Sequence, residues 1–319
     1  MKKIDKLIRV AEGYIANEDA YIRHFVVVIN GKRRKLATYA NSENGNALRE
    51  LHTYMASFIR RLYQQSDASF AYAKRKNIID CIKVHIRSDV FLKTDIHSYF
   101  DSITFEGAER VLNRHKTYQK NSDSMGMLLK ACFYNGRLPL GFVSSPVISD
   151  IFLVALDRKY SKRKDILYTR YADDFIISAR GENSVSVLDE VRETLSDDLG
   201  KQALFLNTKK TYTRTLKQAG DAIHLLGVNL VKTENEENRI TVSDRYIRET
   251  SKAFSDLLNF NGDIEEKTEL CNTVCGQISF IQMCSQDSLN KLQKMVRVKC
   301  GYSGSLQAKA ICRACGLEK

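Results

Sequence analysis

The stretch Tyr168-Thr169-Arg170-Tyr171-Ala172-Asp173-Asp174-Phe175-Ile176-Ile177-Ser178 constrains this chain more than any other. Two adjacent carboxylates stand between two short runs rich in apolar and β-branched residues, a pattern that predicts strand, tight turn, strand. The turn carries both negative charges to a hairpin tip, where they repel unless a cation sits between them. Hard divalent ions such as Mg²⁺ take carboxylate oxygens and keep positions for water and phosphate. The tip therefore suits phosphoryl chemistry. Adjacent acids also commonly cap turns, so a second observation is needed before the tip becomes a site.

Charge points to the same chemistry. The chain has 319 residues with 50 Lys+Arg against 38 Asp+Glu, a formal net charge of +12 that favours a polyanionic partner. No apolar run approaches the ~20 residues of a membrane span. The start, Met1-Lys2-Lys3-Ile4-Asp5-Lys6, lacks the apolar core of a secretory signal. Eight scattered cysteines in a chain this long fit a reducing cytoplasm, the expected location, better than a disulfide framework. Cys312-Arg313-Ala314-Cys315, with Cys300 upstream, hints at zinc, but a structural site wants two close pairs of ligands and no second pair is evident.

Along the chain, Phe25–Ile29, the pair Asn30-Gly31 and Lys32–Leu36 predict a β-hairpin with a strongly basic second strand. From Asn46 to Tyr63, residues Leu48, Leu51, Tyr54, Met55, Phe58 and Leu62 follow a helical period. Val90–Thr94 reads as a strand running into Asp95, and Thr104–Lys130 as helical. Ser145 suits a helix N-cap and Pro146 the first helical position, with Ile148, Ile151, Phe152, Ala155 and Leu156 on one apolar face. Val185–Leu199 predicts an amphipathic helix, and Leu204–Leu206 and Leu225–Leu230 two further strands. After about Thr241 the pattern is mostly helical.

Asp95 is the second observation the acidic tip requires. It ends a strand, and a strand end beside a hairpin tip would let Asp95 and Asp173 bridge two Mg²⁺ ions about 3.5–4 Å apart. Several blocks then occur in order: Asp95…Phe100; Leu138-Pro139-Leu140-Gly141-Phe142-Val143-Ser144-Ser145-Pro146; Tyr171-Ala172-Asp173-Asp174; Leu206-Asn207-Thr208-Lys209-Lys210-Thr211; and Leu225-Leu226-Gly227. This set resembles the palm motifs of reverse transcriptases. It is most similar to the bacterial group that includes retron and defence-associated enzymes. Ala71-Tyr72-Ala73-Lys74…Ile78…His85 is similar to that group too.

The resemblance implies roles. Asp95 and Asp173 would be metal ligands, with the Ile96 carbonyl as an extra ligand and Asp174 as the second acid of the tip. Phe100 would be the steric gate that excludes a ribose 2′-hydroxyl, with Tyr99 competing for that role. Leu140 and Gly141 would lie at the nucleotide pocket, Gly141 letting backbone approach the incoming base and template. Lys210 would protonate or clamp pyrophosphate, with Lys209 its neighbour. Arg34 and Lys35 would grip the triphosphate, and Leu226-Gly227 resembles the primer-grip turn. Leu140 stands where the family often has Gln, and Asp150 where many relatives have Asn. Neither the Asn-Ala before the upstream His nor the Val-Thr-Gly usual in retrons is present.

The implied fold is α+β, a right-hand polymerase with fingers (1–90), a palm of antiparallel sheet plus helices (91–235) and a helical thumb (236–319). The helices of 104–135 are assignable to either fingers or palm. The implied function is RNA-directed DNA polymerase, taking dNTPs and holding an RNA–DNA duplex. Its template would be a dedicated structured non-coding RNA, in anti-phage defence, with an effector protein or homo-oligomer as further partner. Competing readings are a retron enzyme making branched RNA–DNA, an RNA-binding oligomeric scaffold with a vestigial site, and an RNA-dependent RNA polymerase, which Phe100 disfavours.

Overall fold

β-Branched residues at Val26-Val27-Val28 favour an extended backbone, and the computed structural model places them in a two-stranded ladder. It describes residues 3–29, 32–235 and 237–317. Strand β1 (Ile22–Ile29) pairs antiparallel with β2 (Lys32–Tyr39), from Ile22↔Tyr39 to Ile29↔Lys32. The predicted Asn30-Gly31 turn lies outside the described residues.

The chain divides into two units, the first running to Cys81 and then over Phe91–Thr213, the second comprising Ile82–Val90 and the chain from Arg214 onward. The first unit opens with α1 (Lys3–Ala16), then the β1–β2 ladder and α2 (Glu43–Leu62). The helical period predicted from Asn46 holds: Leu48, Leu51, Met55 and Phe58 are buried along α2. Ser42 caps this helix by accepting the Gly45 N–H. α3 (Ile78–Lys83) and β3 (Val90–Asp95) follow, and then the short helices α4 (Tyr99–Ser102), α5 (Phe105–Leu112), α6 (Lys116–Gln119) and α7 (Ser122–Lys130).

α8 (Ser145–Tyr160) begins one residue earlier than expected, with Ser144 at the N-cap and making no side-chain cap bond. Its burial also differs from a single apolar face. Ala155 is exposed, whereas Val147, Leu153 and Val154 are buried with Ile148, Ile151, Phe152 and Leu156. The helix is enclosed on most sides, so its sequence is apolar nearly all round. β4 (Leu167–Tyr171), β5 (Asp174–Ala179), α9 (Ser184–Gly200) and β6 (Tyr212–Thr215) complete this part, with sheet order β4-β5-β3-β6. Leu204–Leu206 is not a strand; only Leu206 forms an isolated bridge, to Ile96.

In the second unit, β7 (Ala222–Leu225), β8 (Val228–Val231) and β9 (Arg239–Thr241) form an antiparallel sheet. Thus 225–230 is a hairpin and not one strand. Leu226 and Gly227 form its two-residue loop with φ of 49° and 92°, the paired positive values of a turn that matches strand twist. α10 (Asp244–Leu258), α11 (Ile264–Cys284), α12 (Gln286–Cys300) and α13 (Ala308–Ala314) make the predicted helical tail.

Candidate active site

The acidic tip is built from below. β4 and β5 pair from Leu167↔Ser178 to Tyr171↔Asp174, leaving Ala172 and Asp173 as the loop, with Ala172 at φ 56°. A non-glycine residue at positive φ carries strain, so something must hold it. Arg170, 1% exposed, does so. Its Nη1 donates to the Ala172 carbonyl at 2.9 Å. The rest of the guanidinium donates to Asp157, from Nε at 2.9 Å and Nη2 at 2.6 Å, and to Asp150 at 2.7 Å. Tyr168 donates to Asp157 and Ser69 to Asp150. The acid at 150 thus completes a buried ion triad, with every oxygen it needs placed by α8.

Sheet order sets β5 beside β3, which brings Asp173 and Asp174 to the end of the strand carrying Asp95. The Ile96 N–H donates to the Asp173 carbonyl at 3.2 Å, tying the two segments together. Asp95 is 3% exposed, and its Oδ1 is buried with no hydrogen-bond partner. Its Oδ2 accepts from Lys210 Nζ. Burial, and then the charge of Asp173, push the Asp174 carboxyl up to about 6. Burial also raises Asp173, with the charge of Asp95 adding to it. Buried carboxylates that repel one another, one with an orphaned oxygen, are a donor set suited to divalent cations.

A cleft of about 590 Å³ opens over these acids. Asp95, Ile96, Phe100, Asp173 and Lys210 line it, and so do Arg34, Lys35 and Leu140. Asp174 and Gly141 do not. Asp174 lies beneath the tip, near enough for its charge to bear on Lys210. At Gly141, φ is 110° and an added Cβ would stand 2.2 Å from the Ala37 carbonyl, so the close approach seen there is to β2. The Leu140 carbonyl accepts from Ala37 N–H at 2.8 Å, and Tyr39 Oη accepts from Val143 N–H at 2.9 Å. These bonds hold the 138–143 loop against the basic strand.

Lys209 and Lys210, alike in sequence and both exposed, part in space: Lys210 bonds Asp95 and lines the cleft, whereas Lys209 does not line it. Tyr99 is buried and donates to the Ser149 carbonyl at 2.5 Å, leaving Phe100 as the half-buried ring. Several cleft residues were not singled out as site residues from sequence: His24, Arg33, Tyr72, Arg137 and Asn207. Tyr72 sits close enough to Asp173 that, after burial, this charge raises its phenol. Its place within the upstream similarity block was the available signal.

Comparison with known proteins decides the family. The signature "Reverse transcriptase (RNA-dependent DNA polymerase)" matches residues 44–230, more than half of the chain. The chain belongs to the reverse transcriptases. It is 31% identical to the retron Ec83 reverse transcriptase of Escherichia coli over 244 residues, covering 72% of this chain and 73% of that one. It is 26% identical to the retron Ec86 reverse transcriptase of Escherichia coli over 200 residues, covering 62% of this chain and 60% of that one. A solved telomerase from Candida albicans, in complex with a fragment of telomeric RNA, aligns at a TM-score of 0.48 and 12% identity, covering 96% of this chain and 67% of that one.

This reverse transcriptase is accordingly a bacterial, retron-like RNA-directed DNA polymerase with an α+β fold. Reverse transcriptase domains use divalent metal ions. Among the described residues no helix is long and apolar enough to cross a membrane.

Proposed function

We propose that this reverse transcriptase adds dNTPs to a primer 3′ end with two Mg²⁺ ions, copying a dedicated structured non-coding RNA in the bacterial cytoplasm as part of anti-phage defence. The observation that carries the chemistry is one cleft that holds Asp95, Asp173, Lys210, Phe100 and the basic residues of β2. Asp95, Asp173, Asp174 and the Ile96 carbonyl are the groups to hold the ions. Two such ions lower the pKa of an attacking hydroxyl and neutralise charge on the leaving pyrophosphate.

The chain's own residues do the rest. Arg34 and Lys35 meet the triphosphate. The face of Phe100 fills the space a 2′-hydroxyl would need. Lys210, now paired with Asp95, moves to the leaving phosphate and gives it a proton. Leu140 presents an apolar surface to the nucleotide pocket where an amide is common in the family. In domain terms, fingers (1–90) and palm (91–235) carry the cleft residues, and the helical thumb (236–319) lies along an RNA–DNA duplex by backbone and shape contacts.

The template class rests on the retron-like relatives and on the +12 charge. Purifying the protein from its native locus and sequencing the bound nucleic acid tests it: one dominant RNA and its complementary DNA are expected. Asp173→Ala with Asp174→Ala should abolish the DNA and phage protection together. Protection that survives the double substitution would make the chain an RNA-binding scaffold. A second reading, a retron enzyme whose DNA is branched from an RNA 2′-hydroxyl, is favoured by the 31% identity to the Ec83 enzyme. A 2′–5′ linkage in the product distinguishes it. An effector protein or further copies of the chain would complete the defence system.

A further inference from the structure

The pair Cys312 and Cys315 lacked a partner pair in the sequence, and the tertiary structure supplies one. α11 carries Cys271 and Cys275 four residues apart, so both thiols leave one helix face. α13 packs against α11 and brings Cys312 to that face. The sulfurs of Cys271, Cys275 and Cys312 all lie within 4.8 Å of one another. Cys271 Sγ and Cys312 Sγ are 3.5 Å apart. With Zn–S bonds of about 2.3 Å, tetrahedral ligand sulfurs stand about 3.8 Å apart, so the cluster needs little adjustment to close on an ion. Cys300, the upstream residue the sequence offered, is outside the cluster.

Three further observations separate this arrangement from cysteines that merely fill a core. Cys275 and Cys312 are only partly buried, and Cys271 and Cys312 line a cavity together with Lys309 and Arg313. Cationic side chains there offset the negative charge that thiolates keep after binding a divalent ion. Next, α13 is seven residues long and Ile311 is its one fully buried side chain, too little to order so short a helix by itself. Finally, Cys315, the buried C-cap of α13, follows Cys312 by three residues, the spacing of a close ligand pair, although like Cys300 it is outside the three-sulfur cluster.

We propose that Cys271, Cys275, Cys312 and Cys315 hold one structural zinc ion that ties α13 to α11. Binding forms four Zn–S bonds and releases the four thiol protons to solvent, with no change of oxidation state. The site is chemically unlike the carboxylate cleft, where thiolates are absent and oxygen donors suit harder ions.

The test is the metal content of the full chain, purified under reducing conditions without chelator. One zinc per chain is expected. Cys271→Ser and Cys312→Ser should weaken zinc binding about tenfold or more, whereas Cys284→Ser, a buried thiol elsewhere on α11, should leave it intact. Cobalt(II) exchanged into the wild-type chain should show the thiolate charge-transfer and visible bands of a tetrahedral four-sulfur site. Stripping the metal should open Lys309 and Arg313 to trypsin. Zinc well below one equivalent in the wild-type chain, or a Cys271–Cys312 disulfide trapped by alkylation at lysis, overturns the proposal. A cobalt spectrum of three sulfurs and one lighter atom overturns the assignment of Cys315. The wild-type metal and cobalt measurements stand even if a serine variant does not fold.

Discussion

Tyr99 and Phe100 are adjacent aromatic rings with ring centroids 5.8 Å apart, yet one is committed to the core by its hydroxyl bond to Ser149 and the other is not. The gate role therefore falls to Phe100 in the proposed mechanism. Phe100→Ala should raise rNTP incorporation relative to dNTP by about 10- to 100-fold, the range in which a pocket discriminates by steric contact. Competition between the two nucleotides on one primer measures it, and unchanged selectivity would remove Phe100 from the gate. The lysine pair divides in the same way. Lys210→Ala should lower the rate of nucleotide addition by about 10²-fold or more, the usual contribution of a positioned proton donor. Lys209→Ala should leave single-turnover rates near wild type. Equal losses in both variants would point to general electrostatics and not to a proton donor.

At the scale of elements, the β4–β5 hairpin depends on a residue that touches no substrate in the proposed mechanism. Arg170 spans Asp150 and Asp157 on α8 and the carbonyl of Ala172 at the strained tip. Arg170→Leu removes the cation and leaves the fully buried Asp157 without its counter-charge. Breaking such a pair costs about 3–5 kcal/mol. Chemical denaturation should show that loss, and a loss under about 1 kcal/mol would mean that solvent reaches the acids. The strand–turn–strand pattern was legible around Asp173 because alternation and β-branching are local. The triad was not, because Asp150, Asp157 and Arg170 are dispersed through an apolar run that reads as plain core. Likewise Leu225–Leu230 looked like one strand, since Leu226 at positive φ is a choice that propensity does not predict.

At the scale of the whole molecule, two buried histidines make stability depend on acidity. His52 Nε2–H donates to the Ala131 carbonyl, while Nδ1 accepts from Tyr39 Oη–H, so the neutral ring is fully bonded. Burial lowers His52 to about 4 and His85 to about 3. Below the ordinary value near 6.5 the unfolded chain takes up protons that the folded chain refuses. Stability held at neutral pH should thus fall between about pH 6.5 and 4, by about 1.4 kcal/mol per pH unit for each histidine. His52→Gln keeps both bonds and should flatten that slope when denaturation midpoints are followed against pH; an unaltered slope would place the proton uptake elsewhere. The sequence by itself determined the order of the blocks, the α+β class and the family, and it singled out Asp95, Asp173 and Asp174 as the acids of the proposed metal site, because those signals lie in short contiguous motifs. Only the tertiary structure decided which of two neighbouring aromatics is tied into the core by its hydroxyl and which of two lysines lines the cleft. It alone joined Arg170 to its two acids and Cys271 to Cys312, since those pairings depend on how separate elements pack, and packing leaves no local periodicity to read.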